Sequence, residues 1–181
     1  MKIRETSIPG VFVLTPTLHR DDRGVFFETW NQRQFAEVGL PKHWAQDNSS
    51  LSKKNVLRGI HYQITQPQGK LVRVTHGAVL DVAVDLRRSS PSFGQHVAVE
   101  LTGENAEMLW IPEGFGHGFL VLSEVAGFAY KVTDYYSAAA ERTIQWNDPE
   151  LAIPWPISPA EVIVSAKDRQ GAAFRAAEVF P

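Results

Sequence analysis

The chain has 181 residues, enough for one well-buried domain over residues 1–181 and short for two. With 44% hydrophobic and 21% charged residues it stands far from the composition of disordered chains, and a net charge of -2 excludes a general basic field for a nucleic-acid duplex. Zero cysteines excludes disulfides, thiolate metal sites and cysteine nucleophiles together.

Taken in chain order, the start MKIRETSIPG lacks the apolar core of a signal peptide. NQRQFAEVG (31–39) predicts a short helix, with Phe35 and Val38 three apart and Gly39 supplying a left-handed end. VFFETW, NVLRGIHYQ, KLVRVTHGAVLDVAVDL, HVAVEL, EMLWIP and GHGFLVLSEVAGFAYKV then read as strands separated by Gly, Pro, Asn and Ser. Many short strands with regular turns predict an all-β sandwich, jelly roll or barrel with short peripheral helices, the second helix following SAKDRQ. VLDVAVDL alternates, so Leu80, Val82 and Val84 face away from Asp81, Ala83 and Asp85, the wetter face. Asp81, Asp85 and Glu124 interrupt the most apolar runs well short of the roughly 20 residues of a membrane helix. No membrane partner and a cytoplasmic location are therefore expected.

His61 is the first candidate for chemistry. PEGFGHGF resembles the second signature of the cupins, with Pro112, Gly114 and His117 at its spacing. Where the first cupin signature carries His-x-His, this chain reads His61-Tyr62-Gln63, and the missing ligand argues against a bound catalytic metal. His19, His43, His76 and His96 receive no role. Without a metal, His61 suits a general base, and an enolate formed by it needs positive charge nearby. Lys70 supplies that charge if Gln66–Gln68 turns a hairpin that brings residues 70–72 opposite His61; a solvated turn lysine is the alternative. Strict alternation puts Arg58 and His61 on opposite faces of one strand, so a bulge at Gly59 is expected if both face the pocket. Tyr130, Tyr135 and Tyr136 offer a phenolic acid or simple packing. Asp168 orients a histidine or starts a helix.

Eight ordered segments give a more specific signal: DDRGVFFETW, QDNSS, VLRGIHYQ, QGKLVRV, WIPEGFGHGF, YKVTDYYS, ERTIQWNDPELAIPWP and SAKD. Together, over residues 2–170, they resemble the dTDP-4-dehydrorhamnose 3,5-epimerase family. The resemblance implies a cupin-type jelly roll (double-stranded β-helix), no cofactor and no metal, and a dTDP-4-keto-6-deoxyhexose substrate inverted at C3 and C5. It implies His61 as base, Asp168 as its partner, Lys70 as enolate stabiliser and Tyr130 as the acid on the opposite side of the sugar. It further assigns Arg23, Phe26 and Glu28 to the nucleotide, Gln46, Asp47 and Asn48 to the substrate, and Arg58 and His117 to the diphosphate. Tyr136 stacks on thymine, with Glu141 and Lys167 nearby. The family forms homodimers in which the N-terminal segment completes the partner's site, and an exposed apolar strand through Val11, Phe12, Val13 and Leu14 is expected to serve that contact. The alternatives are a 3-epimerase or ketoisomerase of a related dTDP sugar, a metal-dependent cupin using His61 and His117, and a sugar-binding module without catalysis.

Overall fold

The computed structural model describes residues 1–181. Its strands are β1 (Lys2–Glu5), β2 (Phe12–Thr15), β3 (His19–Asp21), β4 (Gly24–Phe26), β5 (Gln46–Lys53), β6 (Leu57–Gln63), β7 (Lys70–His76), β8 (Ala78–Asp85), β9 (His96–Thr102), β10 (Met108–Ile111), β11 (Phe115–Val121), β12 (Val125–Val132) and β13 (Glu141–Thr143). The two α-helices are α1 (Gln32–Glu37) and α2 (Ala166–Arg169). One sheet runs β1-β2-β10-β7-β12-β5 and the other β13-β6-β11-β8-β9, with β3-β4 as a separate hairpin. This is a jelly roll of the cupin type, as the strand texture and the resemblance imply.

Alternation along the strands builds three apolar layers. Between the sheets lies a core that includes Val72, Val79, Leu109, Phe119 and Phe128, whose fully buried side chains contribute about 1.5–3 kcal/mol each. Outside the first sheet, Phe35 from α1 packs on Leu14, Leu71, Met108 and Trp110. Asn31 caps α1 through Oδ1, and Gly39 with φ +76° turns the chain out of it, as the sequence predicts. Outside the second sheet the C-terminal segment covers Ile60, Tyr62, Val82, Val84 and Leu86, using Ile144, Leu151 and Ala177.

That covering reverses one expectation. Val82 and Val84 face the C-terminal segment, while Asp81 and Asp85 point inward and are both 0% exposed. Asp85 there accepts hydrogen bonds from the Arg87 guanidinium, Ser90 and Ser92. Burial alone raises its pKa, but these donors outweigh it and hold the carboxyl at about 2.

Two further expectations need correction. Residues 64–69 turn no hairpin: β6 and β7 belong to different sheets, so the segment crosses the sandwich. The strand through Val11–Leu14 is not exposed either, since β2 pairs with β1 and β10 and buries Val11, Val13 and Leu14. Its apolar side chains already complete the chain's own core. Exposed apolar surface lies instead at Val25 and Phe26 on the hairpin and at Leu51 on β5.

Candidate active site

The site opens between the sheets. A cavity of about 330 Å³ is lined by Arg58, His61 and Gln63 of β6, Lys70 of β7, His117 of β11, Tyr130 of β12 and Glu141 of β13, among others. The chain crossing over residues 64–69 puts His61 and Lys70 on facing sheets, and Lys70 Nζ donates to the His61 carbonyl at 3.3 Å. The two residues do share a pocket, although not through a hairpin.

Gly59 reconciles Arg58 with His61. His117 pairs with His61 and Phe119 with Arg58, so Gly59 and Ile60 on β6 together oppose the single Gly118 on β11. This bulge changes the side-chain parity, and both residues line the cavity. Gly59 has φ +134°, and a Cβ there would stand 2.5 Å from Gly118 Cα, so only glycine suits the position. Arg58 Nε and Nη2 both donate to Ser52 Oγ, at 3.2 and 3.0 Å, which aims the guanidinium across the opening.

His61 Nε2 lies 2.6 Å from Asp168 Oδ1. Ser165 caps α2 by accepting from the Asp168 N–H, and the Asp168 side chain is turned inward at 3% exposure. Burial works to raise the Asp168 pKa, but hydrogen bonds from His61, Ser165 and the Gly59 N–H together hold it below the ordinary carboxylate value. An ionised Asp168 accepts a hydrogen bond from Nε2–H, which keeps the proton on that nitrogen and leaves Nδ1 of His61 with a free lone pair. Helix start and histidine partner are thus one residue doing both jobs.

A second pair lies deeper. His117 Nε2 is 3.1 and 3.0 Å from the two oxygens of Asp81. Burial lowers the His117 pKa, with Asp81 opposing the change. Burial also lowers Lys70 to about 8, against the pull of Asp81 and Glu141. Tyr130 is shifted the other way, upward, because burial disfavours the phenolate more than Arg58 favours it. No three His, Cys, Asp or Glu side chains stand together as a metal-binding group.

Around the rim, Tyr136 Oη donates to Glu141 Oε2 at 2.7 Å, and Lys167 pairs with the same carboxylate. Gln46 Nε2 donates to Asn48 Oδ1, and Gln46 Oε1 accepts from the Tyr136 N–H. The remaining predicted residues are not gathered here. Asp47 follows strand alternation to the outer face of the sheet and pairs with Lys131. Arg23, Phe26 and Glu28 belong to the β3–β4 hairpin and the segment after it; Phe26 is 74% exposed, and Arg23 is occupied by Asp21. Within one chain they line no part of the His61 cavity.

Sequence reasoning missed Asp81, Ser52 and Gln63. The carboxylate in the alternating register of VLDVAVDL is the available signal for Asp81, which the structure turns inward rather than to a wetter face. Ser52 is six residues from Arg58 but in a different sheet, and the Tyr135 and Ser137 partners of Gln63 lie in a loop more than 70 residues away, so neither contact follows a local pattern.

The profile of the dTDP-4-dehydrorhamnose 3,5-epimerase family matches residues 5–176. The chain belongs to this family. It is 56% identical to the dTDP-4-dehydrorhamnose 3,5-epimerase of Pseudomonas aeruginosa, with 100% of both chains covered. With the Salmonella typhimurium epimerase the identity is 53%, covering 93% of this chain and 92% of the relative. Among solved structures, the Legionella pneumophila dTDP-6-deoxy-D-glucose-3,5-epimerase in complex with dTDP-4-keto-L-rhamnose superposes with a TM-score of 0.95 at 47% identity, covering 98% of this chain and 94% of that one. The chain is accordingly an epimerase of the dTDP-sugar class.

Proposed function

We propose that the chain converts dTDP-4-dehydro-6-deoxy-D-glucose to dTDP-4-dehydro-L-rhamnose through enolates, with His61, Lys70, Tyr130 and Asp168 as the reacting set. The observation that carries this reading is the 2.6 Å pair of His61 and Asp168 in one cavity with Lys70 and Tyr130. His61 Nδ1 removes the proton next to the C4 ketone, and the C–H electrons pass to the ketone oxygen as an enolate. Charge on His61 is then balanced by Asp168. The Lys70 ammonium stabilises the enolate oxygen. Tyr130 donates its phenolic proton to the carbon from the other side, the carbonyl reforms, and solvent resets the two side chains. His61 and Tyr130 come from opposite sheets, which suits inversion, where proton removal and return occur on opposite faces of the sugar.

The nucleotide is held at the rim. Arg58, anchored by Ser52, offers the diphosphate a planar fork, with His117 beside it. Tyr136 stacks on thymine, and Glu141 and Lys167 hold its hydroxyl side. Gln46 and Asn48 contact substrate from β5. Arg23, Phe26 and Glu28 act in a homodimer, where the hairpin of one subunit completes the site of the other. Their exposure and their distance from the chain's own cavity support that arrangement.

Incubation of the dTDP-4-keto sugar in deuterated water, followed by NMR, tests the reaction. Exchange is expected at both C3 and C5, whereas exchange at C3 alone identifies a 3-epimerase. His61→Ala is expected to slow exchange at both carbons by about 100- to 10,000-fold. Near-normal exchange in that variant refutes His61 as the base.

A further inference from the structure

Gln63 stands two residues beyond His61 on β6, where the paired-histidine signature of metal cupins would place its second ligand. Its side chain is 4% exposed and takes up a different task. Nε2 donates to the carbonyls of Gln66 at 2.7 Å and Tyr135 at 3.2 Å, while Oε1 accepts from the Ser137 N–H at 2.7 Å. The Tyr135 carbonyl and the Ser137 N–H flank Tyr136. One amide therefore grips the backbone on both sides of that residue, as the peptide of a neighbouring strand does.

Segment 134–137 belongs to no strand, so it lacks ladder hydrogen bonds, and side-chain amides replace them. Besides Gln63, Gln46 Oε1 takes the Tyr136 N–H at 3.2 Å, and Gln68 Nε2 donates to the Asp134 carbonyl at 2.8 Å. Tyr136 itself is 55% exposed. A ring so exposed is aimed chiefly by its backbone anchors and by its one hydroxyl contact with Glu141. Of the anchors, Gln63 is the only one to hold both flanks of Tyr136.

We propose that Gln63 is a positioning residue for nucleotide recognition, holding Tyr136 where its ring meets the base of the dTDP moiety. This inference rests on Tyr136 being the stacking partner of thymine. The test is Gln63→Met, which keeps the length and removes the amide, compared with Tyr136→Ala and the double variant by dTDP calorimetry and steady-state kinetics. Loss of the two flanking hydrogen bonds is expected to raise the dTDP Kd and the KM about tenfold, with kcat held within about twofold. On the Tyr136→Ala background, Gln63→Met is expected to cost less than about twofold more, because the two act through one contact. Unchanged dTDP affinity in Gln63→Met, beside a clear loss in Tyr136→Ala, overturns the proposal alone. A full multiplicative loss in the double variant also overturns it. Unchanged affinity in Tyr136→Ala overturns the stacking assignment and this inference with it. Gln63→Glu keeps the acceptor for Ser137 and loses both donations, and it carries the same comparisons if Gln63→Met does not fold.

Discussion

Lys70 is 7% exposed, and that burial brings its pKa to about 8. The consequence is a working range. The enolate requires the ammonium form, which predominates below about pH 8 and is lost as the pH rises through that value. An alkaline limb near pH 8 in kcat/KM is therefore expected, since that parameter reports the free enzyme. Lys70→Arg stays charged far above this range, so its residual activity should show no limb there. A wild-type profile flat to pH 9.5 removes Lys70 from the enolate step. Tyr130 is tuned in the complementary sense, because burial keeps it a protonated acid at the same pH.

Among the elements, β6 brings both Arg58 and His61 to the cavity, and Gly59 sets how it does so. Without the bulge, either Arg58 or His61 would turn out of the cavity. Gly59→Ala combines a φ of +134° with a Cβ 2.5 Å from backbone, and is expected to destabilise by about 2–4 kcal/mol in denaturant unfolding. Its catalytic loss should fall on both KM and kcat, since Arg58 and His61 flank the same kink. A variant of wild-type stability and rate would show that β6 tolerates a regular ladder. The bulge was legible in the sequence from a parity conflict between two residues wanted on one face. The crossing of residues 64–69 between sheets was not, because a Gln-Pro-Gln-Gly turn suits a hairpin as well as a sheet-to-sheet connection.

At the scale of the whole molecule, the β3–β4 hairpin is the part a single chain leaves without employment. In a homodimer with exchanged hairpins, Arg23→Ala and His61→Ala lie in different halves of each site. Refolding the two variants together should then restore about a quarter of the wild-type sites, because half the dimers are mixed and each mixed dimer has one native site. The measurement is kcat/KM at low substrate. No recovery above the average of the parent variants places Arg23 in its own subunit's site.

Sequence alone determined the all-β texture, the family and the helix that ends at Gly39, whereas the second helix, expected to follow SAKDRQ, lies within it as α2. These depend on local patterns: strand alternation, the spacing of Phe35 and Val38 before Gly39, and ordered motifs such as VLRGIHYQ and SAKD. Tertiary structure decided what the groups face. Alternation in VLDVAVDL distinguishes two faces without naming them, and it is the C-terminal segment that turns the valine face into an interior while Asp81 and Asp85 point between the sheets. The burial that sets Lys70, the Asp168 contact 107 residues away from His61, and the grip of Gln63 on Tyr136 all arise between segments distant in the chain. Local periodicity holds no information about such contacts, since they exist only once the two sheets close on each other.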